Sequence, residues 1–336
     1  YGIPYSLTKN HTVEPLSDEF QEDLARFAAT CRIVGGLKGL RIGAIGARPQ
    51  AFNTVRYSEK LLEKAGISVI TLDLSEILGR VDRLDDDAQI VKDKLEAIGN
   101  YISINGVPHP AVLKQAKLAA VTEQWMAEDE IDITAIQCWT SLEENYGVVP
   151  CTMMSMMSSK LMSSACEVDV CGLIGMHMLA LASGTPSALL DWNNNYGGNA
   201  NKAVCFHCSN LPKEFFKPGY KMDFQEIIAG TVGKDNTYGT VDGTIHAGDM
   251  TFIRVSTDDE TGRIRGYVGN GKFTDDSLKT FGGAGVVEIP GMQKLLHYIC
   301  ENGFEHHVAA NFSAATEAVM DATRNYLRWD FYRHEA

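Results

Sequence analysis

Apolar side chains recur along this chain first at helical spacing and then, past its middle, at alternate positions. Over residues 17–34, Phe20, Leu24, Phe27 and Ala28 share one helical face, with Ser17 as N-cap and Asp18 and Glu19 in the first turn. Gly35-Gly36 is expected to stop that helix. Leu40-Arg-Ile-Gly-Ala-Ile-Gly46 reads as a strand, residues 58–64 as a helix ending at Ala65-Gly66, and 67–72 as the next strand. This alternation continues to about residue 136 and predicts a parallel sheet layered with helices. Residues 133–139 and 187–191 read as further strands, and 173–181 as an apolar helix between them. Met153, Met154, Met156, Met157 and Met162 read as core filler of adaptable shape.

Beyond Phe224 the period changes to two. Residues 249–256 and 263–268 alternate around a hairpin loop at 258–262, and glycines recur from Gly266 to Gly285. A small sheet or barrel is expected there, with a closing helix over 314–327. The predicted class is α/β: parallel-sheet, Rossmann-like layers followed by a small C-terminal antiparallel β-barrel-like region. The expected divisions are an α/β domain at 1–136, an α/β catalytic segment at 137–223, a β-rich domain at 224–312 and a terminal helix at 313–336.

Composition narrows the function classes. With 336 residues, 45% of them hydrophobic, the chain can bury a sizeable core. Its net charge of −13 argues against nucleic acid, which is held by Lys and Arg stripes, and no apolar run reaches the ~20 residues of a membrane span. The chain starts at Tyr1 without the basic and apolar regions of a secretory signal. Its eight cysteines are dispersed through apolar stretches, so reduced thiols and a cytoplasmic location are expected.

Several local motifs compete for chemistry. The glycines after the first strand do not form GxGxxG, because Ile45 stands where a glycine is needed, so a tight turn suffices. Cys205-Phe-His-Cys208 is a CxxC, but no second CxxC accompanies it as a structural zinc would want; a redox dithiol is the other reading of the pair. Glu167 with Asp169, Asp191, His207 and the pair His306-His307 offer a different constellation. Glu167, Asp191 and His207 each lie at or near the end of an apolar run, and ligands of parallel sheets bind at the carboxyl ends of strands. Two carboxylates and an imidazole converging there suit Mn2+ or Mg2+ better than a thiolate-seeking metal. Adjacent histidines point to opposite faces of a strand, so one of the pair is expected to reach such a site.

These residues, in this order, resemble the L-fucose/L-arabinose isomerase superfamily, and L-fucose isomerase-like proteins most closely. The resemblance rests on Gln137-Cys-Trp-Thr140, Ala165-Cys-Glu-Val-Asp-Val-Cys-Gly172, Leu189-Leu-Asp-Trp192, Phe206-His-Cys-Ser-Asn210 and Phe304-Glu-His-His-Val308, and runs from about Gly39 to the carboxyl terminus. It implies metal-dependent aldose–ketose isomerisation of an open-chain, L-fucose-like sugar through an enediolate. Glu167, Asp191 and His306 then match the ligands of Mn2+ (or Mg2+), and Glu167 and Asp191 the acid–base pair, with Glu167 as base. His207 matches a further ligand or a sugar contact, and Asp169 supports the centre without binding the metal. Trp139 and Trp192 are expected to wall the sugar, with Gln137, Asn193 and His307 as further substrate contacts. The resemblance also implies a homo-oligomer, often a hexamer, and an additional amino-terminal domain that this chain is expected to lack. A catalytically silent sugar-binding relative and a metal-dependent aldolase or epimerase are the competing functions.

Overall fold

In the computed structural model, which describes residues 1–336, Ser17 Oγ accepts from the Phe20 amide at 3.2 Å and opens the helix Asp18–Leu37. That helix does not stop at Gly35-Gly36 but runs through both. A Cβ on Gly36 would come within 2.6 Å of the Leu181 side chain, so the glycine permits close packing against the central helix Val170–Ser183. The breaker signal was overridden by a tertiary contact.

Four strands, β1 (Arg41–Ile45), β2 (Ser68–Leu72), β3 (Ile133–Ile136) and β4 (Ser164–Cys166), form a parallel sheet in the order β2-β1-β3-β4. Gly43, in the middle of β1, faces the indole of Trp125 from the helix His109–Glu128, and a Cβ there would lie 2.6 Å from the ring. The chain then enters its antiparallel part through β5 (Ala188–Asn195) and β6 (Lys202–His207). It continues with β7 (Lys221–Phe224), β8 (Tyr238–Thr244), β9 (Gly248–Asp258), β10 (Arg263–Phe273), β11 (Gly283–Glu288) and β12 (His307–Asn311), and ends in β13 (Asp330–Arg333).

Pairing in the order β9-β10-β11-β6-β5-β12 and back to β9 closes a six-stranded antiparallel barrel. Leu190, Cys205, Phe252, Tyr267, Phe273, Val287 and Val308 belong to its apolar core. The strands carrying Asp191 and His207 therefore belong to the barrel and not to the parallel sheet, as their place in the chain had suggested. Short apolar strands read alike in either setting. The expected closing helix starts at Thr316, widens into a π-helical stretch over Ala322–Leu327, and gives way to β13 beside β10.

The helix Val170–Ser183 joins the two layers. Eleven of its fourteen residues are buried, the pattern of a helix covered on every side. Leu173, Ile174 and Met178 share one apolar cluster with Ile33 and Leu37 of the first helix and with Ile253 and Ala309 of the barrel. Asp169 caps its start, accepting from the Gly172 amide at 2.8 Å.

Two glycine substitutions separate packing from propensity. Gly43→Ala drives a methyl into the buried indole and is expected to cost about 1–3 kcal/mol. Gly35→Ala, in a helix with open space around it, should gain up to about 1 kcal/mol. Urea unfolding of both variants checks the pair; equal effects would show that the β1–Trp125 contact does not constrain the fold.

Candidate active site and metal centre

The site lies where the end of β4 meets the barrel. After Cys166 the backbone turns through two consecutive left-handed residues, Glu167 (φ 62°) and Val168 (φ 55°). A β-branched residue seldom adopts that conformation, and such strain persists only where surrounding structure holds it. Here the turn carries the Glu167 carboxylate off the parallel sheet and leaves Asp169 to cap the following helix.

His307, at the start of β12, receives both. Its Nε2 lies 2.9 Å from Glu167 Oε2 and 3.3 Å from Asp191 Oδ1, while its Nδ1 lies 2.8 Å from Asp169 Oδ2. Asp191 is the cross-strand partner of His307 in the β5–β12 register, which fixes that pair. Asp169 is itself gripped by Arg254 of β9, Nη1 at 2.5 Å and Nη2 at 3.1 Å, and Arg254 Nε reaches Glu305 at 3.1 Å. Ser256 donates to the other oxygen of Glu305 at 2.8 Å. Arg254, Asp169 and His307 are fully buried, so each charge depends on its neighbours.

The electrostatics follow from this geometry. Burial works against ionisation of Asp169, but Arg254 and His307 outweigh it and hold its carboxyl well below the usual range. Burial likewise disfavours a charged His307, yet Glu167 and Asp169 raise it well above an ordinary imidazole. Burial pushes the Asp191 carboxyl up, against the pull of His207 and His307.

His306 and His307 do not part across the strand. His306 precedes β12, and its Nε2 stands 3.8 Å from the same Asp191 Oδ1, with the two rings 4.2 Å apart. The His306 side chain is 42% exposed and that of His307 1%. Burial and the charge of His307 push His306 down to about 4, so its ring is neutral at physiological pH. The His207 ring lies 5.9 Å from that of His307, and its Nδ1 is 3.5 Å from Cys208 Sγ. Burial opposes a charge on His207, but Cys208, Glu167 and Asp191 raise it to about 9.

The remaining sequence-identified residues divide. Trp139 stands edge-on to Phe52, whose ring stacks over His306 and His307 at 6.3 and 6.2 Å, so Phe52 and Trp139 form one wall. Trp192 lies on the other face of β5 from Asp191, packed on Phe252 with its indole N–H donating to Tyr267 at 2.9 Å. Gln137 is committed to backbone, accepting from Ala47 N at 2.8 Å and donating to Trp139 O at 3.1 Å. Asn193 is exposed beyond Asp191 on β5. Of the CxxC pair, Cys205 faces the barrel core while Cys208 groups with Cys151 and Cys166.

Sequence reasoning missed Arg254, Glu305 and Phe52. An arginine amid the apolar run Met250-Thr-Phe-Ile-Arg254-Val was a readable sign of a buried ion pair. Phe52, at the kink of the short 3-10 segment Gln50–Val55, left no such sign.

Two outcomes test the electrostatics. Arg254→Ala leaves Asp169 and Glu305 buried without their cation and should cost about 3–5 kcal/mol in urea unfolding. Glu143 is buried with neither carboxylate oxygen bonded to another residue, and burial pushes it up to about 8 from 4.5. Across that interval the folded state keeps a proton the unfolded state has released, so this group subtracts stability as pH rises. Glu143→Gln should therefore gain on the wild type between pH ~5 and pH ~8 in thermal melts; a constant difference would refute the shift.

Residues 205–335 match the family model described as L-fucose isomerase, C-terminal domain. The sulfoquinovose isomerase of Priestia megaterium is 25% identical over 313 residues, covering 92% of this chain and 68% of that protein. That of Alkalicoccus urumqiensis is 24% identical over 336 residues, covering 96% and 70%. The chain thus carries an L-fucose isomerase C-terminal domain from within β6 onward, and over most of its length, Glu167, Asp191 and the paired histidines included, it is similar to sugar isomerases.

Proposed function

We propose that this protein is a metal-dependent aldose–ketose isomerase acting on an open-chain sugar through an enediolate. One observation carries the metal. Glu167 Oε2 and Asp191 Oδ1 are buried, have no hydrogen-bond donor, and face the same His307 Nε2. With Nδ1–H donating to Asp169, release of the Nε2 proton leaves a lone pair there, and three electron-rich atoms then converge for a cation that takes that proton's place. A divalent cation satisfies all three, and oxygen with imidazole donors suits Mn2+ or Mg2+. Glu167, Asp191 and His307 would hold it; His306, also directed at Asp191, is the imidazole at the open side. Such a cation, when bound, supplies Lewis-acid polarisation of the sugar carbonyl.

The protein's own groups account for the proton movements. The other oxygen of the Glu167 carboxylate, Oε1, takes the proton from C2 while Oε2 faces the cation site, and a proton is delivered to C1. A second proton leaves the C2 hydroxyl and joins the C1 oxygen, so the aldose becomes a ketose with no external oxidant. Asp191 turns Oδ1 to the cation site and keeps its second oxygen for the donor role, which burial, raising that carboxyl, favours. Phe52 and Trp139 exclude water on one side of the histidines.

The substrate class is an L-fucose-like aldose, and a specific feature favours a second reading. Arg48 and Arg56 both donate to Asn53 Oδ1, at 3.0 and 3.2 Å, one residue from Phe52. Two guanidinium groups on that loop suit an anionic substituent such as the sulfonate of sulfoquinovose, the sugar named for the relatives.

An aldose panel containing L-fucose and sulfoquinovose, read for ketose formation with and without Mn2+, tests both readings. Chelation should abolish turnover and added Mn2+ restore it. Glu167→Gln should lower kcat by at least about 10²-fold with an unchanged circular dichroism spectrum. Near-normal activity in that variant removes Glu167 as the base, and turnover indifferent to chelation removes the metal.

A further inference from the structure

Behind the carboxylate centre lies a second cluster that the isomerase chemistry does not use. Cys151 begins the helix Cys151–Ser159, Cys166 ends β4, and Cys208 follows β6. Their three sulfur atoms lie within 4.8 Å of one another, all buried, and His207 Nδ1 stands 3.5 Å from Cys208 Sγ. A single buried cysteine is ordinarily a small hydrophobe. Three brought together from separate rigid elements, with an imidazole nitrogen beside one of them, Cys208, form a donor set. A disulfide would join two of the sulfurs and leave the third without a partner.

We propose that Cys151, Cys166 and Cys208 form a binding site for a thiophilic divalent cation of the Zn2+ class, with solvent or a reoriented His207 completing the four positions. Tetrahedral zinc with sulfur ligands at about 2.3 Å needs sulfurs about 3.8 Å apart, and the three present lie within 4.8 Å of one another. Each thiol gives up its proton to solvent on binding, so three protons leave when all three start protonated. Cys166 immediately precedes Glu167 and Cys208 immediately follows His207, so the ion would clamp both sides of the active site from within. The proposal does not depend on the isomerase reading, because the oxygen-rich centre contains no thiolate.

Co2+ distinguishes the two sites by spectroscopy, without reference to turnover. The full chain, reduced with a phosphine and freed of metal, is titrated with Co2+ and then with Zn2+. A thiolate-to-cobalt charge-transfer band saturating at one equivalent and bleached by Zn2+ is expected. Cys166→Ser should remove that band and weaken Zn2+ binding at this site by at least about 100-fold. Cys151→Ser serves as the second variant should the first fail to fold. A wild-type protein without the band overturns the proposal, as does a band that survives in both variants.

Discussion

The carboxylate of Asp169 is the point on which the architecture turns. It accepts from the start of the central helix, from Arg254 on β9 and from His307 on β12. One side chain thus links the parallel layer to two strands of the barrel, all in a dry interior. Burying an ion there is costly unless every lone pair finds a donor, and here the donors are a helix amide, a guanidinium and an imidazole. The same bonds that lock the layers together orient His307.

Charge balance explains why the centre suits a cation. Glu167, Asp169, Asp191 and Glu305 bring four carboxyl groups together, against one permanently charged guanidinium on Arg254. Asp169 and Glu305 consume that guanidinium, and the Glu167 and Asp191 oxygens are left facing His307. A proton on the imidazole relieves this in the free protein, and a divalent cation can replace it. The mouth of the site is differently made: His306 is neutral and half exposed, and Phe52 covers both histidines. A charged interior with an apolar rim suits a small polyhydroxylated molecule presenting one reactive end.

Much of this was legible in residue order, for identifiable reasons. Ser17, the hairpin at 258–262 and Gly184, which closes the central helix in a left-handed cap, are local signals, and local signals survive in a sequence. Glu167, Asp191 and His207 stood out because polar residues at the ends of apolar runs need a reason. What could not be read was long-range. The four residues Ala188-Leu-Leu-Asp191 have the same pattern in a parallel sheet as in a closed barrel, so the pairing partner was invisible. Gly35-Gly36 looked like a terminator because the sequence does not show Leu181 lying against it. Arg254 carried a faint signal and Phe52 none, since a loop is positioned by what it packs on. Trp192 follows Asp191 directly, and strand alternation therefore sends its indole to the barrel side.

The closing strand has a bearing on biogenesis. β12 inserts between β5 and β9, and it delivers His307 to a carboxylate 138 positions earlier in the chain. A ribosome-bound segment that stops short of residue 300 can form the parallel layer, yet it lacks the histidine pair around which Glu167, Asp169 and Asp191 gather. Contacts of such wide sequence separation form late, because the intervening polypeptide must first be ordered. The carboxylate–histidine centre therefore assembles in one step with completion of the barrel, and an unfinished chain does not contain it.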